Sequence, residues 1–313
     1  MEAPNNQALP IGYQLQDYEI RKVLSAGGFS FVYIARDKDK KTVAIKEYLP
    51  ITLALRADGE RVQVTSAETS ASFGHGLKCF FEEGRALANI NHKNIIRVLN
   101  FFRANETVYM VMQYERGKSL QEFILGQNEP VSENFVRSVF SELLNGLREV
   151  HAQKLLHLDI KPANIYIRLD GSPVLLDFGS ARQTLNEFQP QMQPSYTPGF
   201  ASPEQYFDRK LLGPWSDVYS VGATMYACLV RAAPMSADQR MNKDLLVSAV
   251  KAGENIYSKN LLKIIDGCLV LDHLQRPQSL FALQKALLED LPLEDEKTGL
   301  FDKFKGYLQK PIL

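Results

Sequence analysis

Cysteine is scarce in this chain, with three residues at Cys79, Cys228 and Cys268. They cannot all pair, and Cys228 and Cys268 fall in apolar helical patterns where a small hydrophobe serves, so a reducing cytoplasm is the expected setting. Charge of one sign is lacking too: 36 Lys and Arg balance 36 Asp and Glu, for a formal net charge of +0. Bulk electrostatics therefore gives no drive toward nucleic acid or an anionic membrane. No run reaches the about 18 consecutive apolar residues of a membrane span, the longest uncharged apolar stretch being Val218 to Val230. The opening MEAPNNQALP has no basic start followed by an apolar run, so neither a signal peptide nor a span is expected. Internal repeats and low-complexity tracts are absent as well.

What is present is ample material for a core, with 45% apolar and 23% charged residues in 313. That length accommodates about two compact units. Residues 18–47 read as three strands, YEIRKVLS, FSFVYIAR and KTVAIKE, the first two joined by Ala-Gly-Gly and the last two by DKDK. Antiparallel pairing follows. From Glu47 to Leu77 the periodicity is weak, and a long loop is expected. Phe80, Glu83, Leu87 and Ile90 then recur at helical spacing, giving a helix from Lys78 to Asn91 that turns Glu83 inward and Glu82 to solvent. Two β-like runs, IIRVLNFF and TVYMVMQY, close a first lobe near residue 113, and Gly117 marks a hinge.

Beyond the hinge the pattern becomes helical. Phe135, Val136, Val139, Phe140, Leu143, Leu147 and Val150 make an amphipathic helix from Ser132 to His151, with Ser132 and Glu133 as cap and first turn. Short strands at NIYIRL and PVLLD are joined by an Asp170-Gly171 turn. Residues 178–215 hold four prolines before Pro214 and little periodicity, a loop too long to be a mere connector. Helices are expected at Asp217 to Val230, Asn242 to Lys251, Asn260 to Leu271 and Pro277 to Leu288.

Several short motifs fall in a definite order: LSAGGFSFV between the first two strands, VAIKEY on the third, the inward Glu83, HLDIKPAN in the second lobe, LLDFG after a strand, and SPEQY ending the long loop. Singly each is weak. Together, from Tyr18 to about Leu288, they resemble the protein-kinase motif set, in the version of the bacterial eukaryotic-like (Hanks-type) Ser/Thr kinases. The KEYLP run after Lys46 resembles a proteobacterial branch. The resemblance implies an α+β, bilobal fold with a small antiparallel β-rich N-lobe carrying one main helix and a larger, mostly helical C-lobe. Its boundaries would be a leader at 1–17, a kinase domain at 18–288 (N-lobe 18–113, hinge 113–117, C-lobe 118–288) and a tail at 289–313.

It also implies roles. Lys46 would hold the α- and β-phosphates of ATP and pair with Glu83. Asp159 would accept or orient the substrate hydroxyl, with Lys161 near the γ-phosphate and Thr197 contacting Asp159. Asn164 and Asp177 would bind Mg²⁺, or Mn²⁺ in its place. Leu24, Val32, Ala44, Met112, Tyr114 and Leu176 would line the adenine slot, Met112 as gatekeeper and Gln113 opening the hinge, while Ser25, Gly27, Gly28 and Ser30 form the phosphate loop. Glu204 with Arg276, and Asp217 bracing the catalytic loop, match structural residues. Lys161-Pro162 fits Ser or Thr acceptors on protein substrates, including autophosphorylation.

The sequence departs from the pattern at five positions. Ser25 and Ser30 stand where glycines are usual, and Leu158 stands where an Arg commonly precedes the catalytic Asp. Removing that Arg takes away a counter-charge for a phosphorylated loop, so weak dependence on phosphorylation at Thr184, Ser195, Tyr196 or Thr197 is expected. Gln113 replaces an acidic hinge residue, and Tyr166 brings a ring to the adenine floor. The serine substitutions keep open a nucleotide-binding pseudokinase scaffold, and a small-molecule kinase is the third reading. In the tail, Leu300, Phe301, Phe304, Tyr307 and Leu308 recur at helical spacing, as in a segment that docks on the kinase or on a partner; a linker toward a further region is the alternative.

Overall fold

The computed structural model describes residues 7–56, 59–127, 129–178, 182–183 and 196–289. Contacts divide them into two units. The first holds residues 7–91 and 96–115, and the second holds 92–95 and the described residues from 116 onward.

In the first unit, Gln14–Leu15 (β1), Tyr18–Ala26 (β2), Ser30–Arg36 (β3) and Thr42–Tyr48 (β4) run antiparallel in sequence order. A small hairpin follows, Ala54–Leu55 (β5) with Gln63–Val64 (β6), then the helix Ala67–Ala88 (α1) and the strands Val98–Ala104 (β7) and Thr107–Gln113 (β8). The sheet order is β1-β2-β3-β4-β8-β7. Cross-strand register puts Val32 opposite Lys46 and Lys46 opposite Met110, with Ala44 opposite Met112 in the neighbouring row. Because side chains alternate between faces, these residues share one face and Tyr33, Glu47 and Tyr109 the other.

On that second face Glu47, fully buried, accepts from Tyr33 Oη at 2.7 Å and Tyr109 Oη at 2.5 Å and is ion-paired with Arg56. Arg56 in turn donates to the carbonyls of Gln7 and Glu60. The Leu9 amide donates to Tyr33 Oη, so residues 7–9 are tied to the sheet by buried polar groups.

The helix expected at Lys78 to Asn91 begins eleven residues earlier. Ser66 caps it, accepting from the Thr69 amide while the Thr69 hydroxyl accepts from the Ser66 amide. Such a reciprocal box satisfies two amides that a helix start leaves unpaired. The expected loop from Glu47 to Leu77 therefore holds a hairpin and half of α1. Phe73 and Phe80 pack on Tyr48, and Phe81 meets Phe101 edge-on, fixing α1 to the sheet.

In the second unit, Gly117–Ser119 (β9) leads into Leu120–Leu125 (α2), a short helix with a Ser119/Glu122 capping box. Glu133–Ala152 (α3) is capped by Ser132 as expected. Leu155–Leu156 (β10), Ile165–Arg168 (β11), Pro173–Leu175 (β12) and Arg182–Gln183 (β13) follow, then Pro203–Phe207 (α4), Pro214–Val230 (α5), Ala237–Asn242 (α6), Ala249–Ala252 (α7), Lys259–Cys268 (α8) and Leu280–Leu288 (α9). β9 and β12 flank β11, and a Cβ at Gly117 would meet the Ile167 carbonyl oxygen at 1.9 Å, so only glycine fits. Tyr166 Oη donates to the Gly117 carbonyl at 2.8 Å.

α5 is buried from Ser216 through Leu229, the signature of a central core helix, and packs against α8 and α3. The continuous helix expected at Asn242 to Lys251 is absent. Asp244 instead turns back to Arg240 and accepts from the Leu246 amide, and Ser248 starts α7 afresh. Leu245 and Val247, which supplied the apolar pattern, are exposed.

Candidate functional site

Residues 157–164 connect β10 to β11, and their backbone is held by a side chain from α5. Asp217, fully buried in the first turn of that helix, accepts from the amides of His157 at 3.0 Å and Leu158 at 2.8 Å, and from His151 Nε2 at 2.7 Å. Burial alone would raise its carboxyl, but the His151 hydrogen bond and charge, with His157 and the Leu158 amide, hold it below the ordinary range. Leu158 has a left-handed φ of 62°, an uncommon conformation for a residue with a Cβ.

That bend presents Asp159. Its Oδ1 accepts from Thr197 Oγ1 at 2.8 Å; its Oδ2 accepts from Lys161 Nζ at 2.8 Å and Asn164 Nδ2 at 3.0 Å. Lys161 also donates to Thr197 Oγ1 at 2.7 Å, and Asn164 Nδ2 to the Asp159 carbonyl at 2.9 Å. Four of the residues singled out from sequence thus form one connected cluster.

His157 carries the cluster toward Asp177. Its Nδ1 accepts from the Asp159 amide and its Nε2 donates to the Leu176 carbonyl at 3.1 Å, while its ring packs on Phe178 at 4.4 Å between centroids. These bonds define a neutral imidazole, and burial pushes its pKa below the usual histidine value. Asp177 is exposed with a left-handed φ of 54°, and the Leu176 amide donates to the Asn164 carbonyl at 2.8 Å, placing Leu176 and Asp177 directly beside Asn164. Gly179 lies outside the described residues.

In the first unit, Lys46 is 8% exposed on β4 with its ammonium 5.7 Å from the centre of the Phe80 ring. Glu83 is half-buried one turn on from Phe80, whereas Glu82 is exposed and within 3.9 Å of Lys78, matching the expected register. Val32, Ala44 and Met112 share the Lys46 face. Leu24 sits at a bulge where Ser25 pairs with Val32. Gly27 donates to the Ser30 carbonyl, and a Cβ at Gly28 would meet nothing within 4 Å. Gln113 is exposed and Tyr114 half-buried at the end of this unit, while Leu176 belongs to the second.

The protein kinase domain family matches residues 18–288. The chain belongs to that family. Among curated proteins, this kinase chain is 28% identical over 287 residues to serine/threonine-protein kinase D of Synechocystis sp., covering 87% of this chain and 52% of that one. It is 26% identical to a putative serine/threonine-protein kinase A of Trypanosoma brucei brucei, covering 83% and 58%. The kinase chain thus spans a little over half the length of these relatives. Among solved structures, the PpkA-294 apo form superposes with a TM-score of 0.81 at 34% identity, covering 90% of this chain and 99% of that one.

Within the kinase domain, Glu204 and Arg276 form the buried pair expected of them, at 2.8 and 3.0 Å, with Ser216 Oγ as a further donor to Glu204. Burial would raise the Glu204 carboxyl; the Arg276 hydrogen bonds and charge, with Ser216, hold it below its ordinary value. Three residues of the site were not singled out from sequence. His151 is one of a helical pattern, His157 was one letter of a motif, and Gln205 donates to the Leu158 carbonyl at 2.9 Å. The histidines carry no local signal of their buried partners; Gln205 has one, its place three residues after Ser202 at a helix start.

Proposed function

We propose that this chain is an ATP- and Mg²⁺-dependent protein Ser/Thr kinase that transfers the γ-phosphoryl group to protein hydroxyls, its own included. The observation that carries the reading is the Asp159 carboxylate held by Thr197, Lys161 and Asn164. A carboxylate so oriented accepts a hydrogen bond from an incoming hydroxyl and aligns its oxygen, and Lys161 supplies positive charge where negative charge builds up.

The donor set fits a divalent cation. Asn164 spends its amide N–H bonds on Asp159, which leaves its Oδ1 as a hard oxygen for a cation, and the exposed Asp177 carboxylate adds a second. Mg²⁺ binds through few protein oxygens plus phosphates and water, and Mn²⁺ would substitute. When bound, the cation neutralises charge on the phosphates. Lys46 would hold the nucleotide phosphates with Glu83 steadying it, Leu24, Val32, Ala44, Met112 and Tyr114 of the first unit would receive the base, and Ser25, Gly27, Gly28 and Ser30 would form the phosphate loop.

Kinase D and the putative kinase A bear Ser/Thr names, which supports the acceptor class. We assign the chain to a proteobacterial branch on the KEYLP run. No described helix is long and apolar enough to cross a membrane, and with three free cysteines among the described residues we place the protein in the cytoplasm. The tail stripe from Leu300 to Leu308, which lies outside the described residues, is proposed as a docking segment for this kinase or a partner.

The test is incubation of purified protein with γ-labelled ATP, with and without Mg²⁺, beside Asp159→Asn, Lys46→Ala and Asp177→Ala. Mg²⁺-dependent label on Ser or Thr, lost in all three variants while circular dichroism stays unchanged, is expected. Nucleotide binding without label in the wild type would replace the reading by a scaffold that holds ATP without transferring it.

A further inference from the structure

We infer that Gln205 is a positioning residue for Asp159, acting on the peptide that precedes it; the inference rests on the kinase reading above. Leu158 has both backbone polar groups engaged by side chains from different elements. Its amide donates to Asp217 of α5 at 2.8 Å, and its carbonyl accepts from Gln205 Nε2 of α4 at 2.9 Å. With φ at 62° the residue is strained, and such a conformation persists only where the surroundings over-determine it. The Leu158 carbonyl belongs to the same peptide unit as the Asp159 amide, which donates to His157 Nδ1 at 3.2 Å. Rotation of that planar unit swings the Asp159 side chain, and Gln205 and His157 grip it from its two ends.

The other end of the Gln205 amide ties this grip to the segment carrying Thr197. Its Oε1 accepts from the Ser202 amide at 3.0 Å and Ser202 Oγ at 3.3 Å, and the Ala201 amide reaches back to the Thr197 carbonyl at 3.1 Å. Gln205 is 4% exposed, so water does not compete for these bonds. One side chain therefore sets the orientation of Asp159 relative to the stretch, residues 197–205, whose Thr197 touches the same carboxylate.

The two ends of the Gln205 amide do separable work. Gln205→Glu keeps the acceptor for Ser202, preserving the cap of α4, and loses the donor to Leu158. Gln205→Met loses both. The experiment measures melting temperature, maximal autophosphorylation rate and half-saturating ATP for wild type, both variants and Asp159→Asn, from about pH 7 to about pH 9.5, because the new carboxyl loses its donor to Leu158 only once ionised.

Gln205→Glu is expected to lose about tenfold in maximal rate, the effect of one misdirected hydrogen bond in the transition state, with half-saturating ATP within about twofold of wild type. Gln205→Met should show the same rate loss with a lower melting temperature. A Gln205→Glu enzyme at the wild-type maximal rate overturns the inference, as does a loss confined to half-saturating ATP. Absence of transfer in the wild type itself would instead count against the kinase reading.

Discussion

Thr197 Oγ1 donates to Asp159 Oδ1 at 2.8 Å across 38 residues of sequence, and the same hydroxyl accepts from Lys161 Nζ. With the direct Lys161 to Asp159 Oδ2 bond at 2.8 Å, that hydroxyl closes a triangle in which each carboxylate oxygen has its own donor. Thr197→Ala should lower the maximal phosphorylation rate by about tenfold or more, because Asp159 Oδ1 then loses the donor that fixes the carboxylate plane. Thr197→Ser, which keeps the hydroxyl, should stay within about threefold of wild type in the same initial-rate assay. Equal losses in both variants would mean that the methyl packing, not the hydrogen bond, matters.

The Glu204 and Arg276 pair is buried on both sides, at 3% and 0% side-chain exposure. Removing one partner strands the other charge. Arg276→Ala should cost about 3–5 kcal/mol in urea unfolding. A loss below about 1 kcal/mol would show that the pair contributes nothing beyond packing.

Stability should fall in acid in two stages. His157 is held neutral in the folded chain but titrates near 6.5 when unfolded, so below that pH the unfolded chain binds a proton the native one does not. Glu204 and Asp217 are held below the usual carboxylate range, so their contribution is complete above about pH 5 and is lost as pH falls through their native values. The urea midpoint is expected to be level between about pH 7 and 8, to slope downward as pH falls below about 6.5, and to drop more steeply below about 4.5. His157→Gln should show a shallower first slope, the remainder coming from His92, which burial also holds below the usual histidine value. An unchanged slope in that variant would remove His157 from the account.

Leu158 is buried at 2% exposure, and both of its backbone polar groups are taken by side chains, Asp217 and Gln205. Treatment with a phosphatase should leave initial activity within about threefold of the untreated protein. A loss of a hundredfold would mean that phosphorylation at Thr184, Ser195, Tyr196 or Thr197 supplies a restraint that these contacts do not; Thr184 and Ser195 lie outside the described residues.

Much of this molecule was written locally. The antiparallel pairing of β2, β3 and β4 followed from alternation and turn residues, and α3 from its apolar stripe and the Ser132 cap. The early start of α1 was also local, in Ser66 and Thr69, but its polar first half hides the helical period that apolar residues display. The Asn242 to Lys251 region misled for the opposite reason: its apolar spacing is helical, yet the Asp244 to Arg240 pair turns the chain and leaves Leu245 and Val247 in solvent.

The sequence by itself determined which chemical groups are available and on which elements they ride, since periodicity, caps and motif order act over a few residues. Tertiary structure alone decided what those groups touch. Asp217 reaches back to His157 and Leu158 over about sixty residues, Gln205 to Leu158 over 47, and Arg276 to Glu204 over 72. Contacts at such separations form only once the core around α5 has met the entropy of closing the loops between them, and no local pattern encodes that sum.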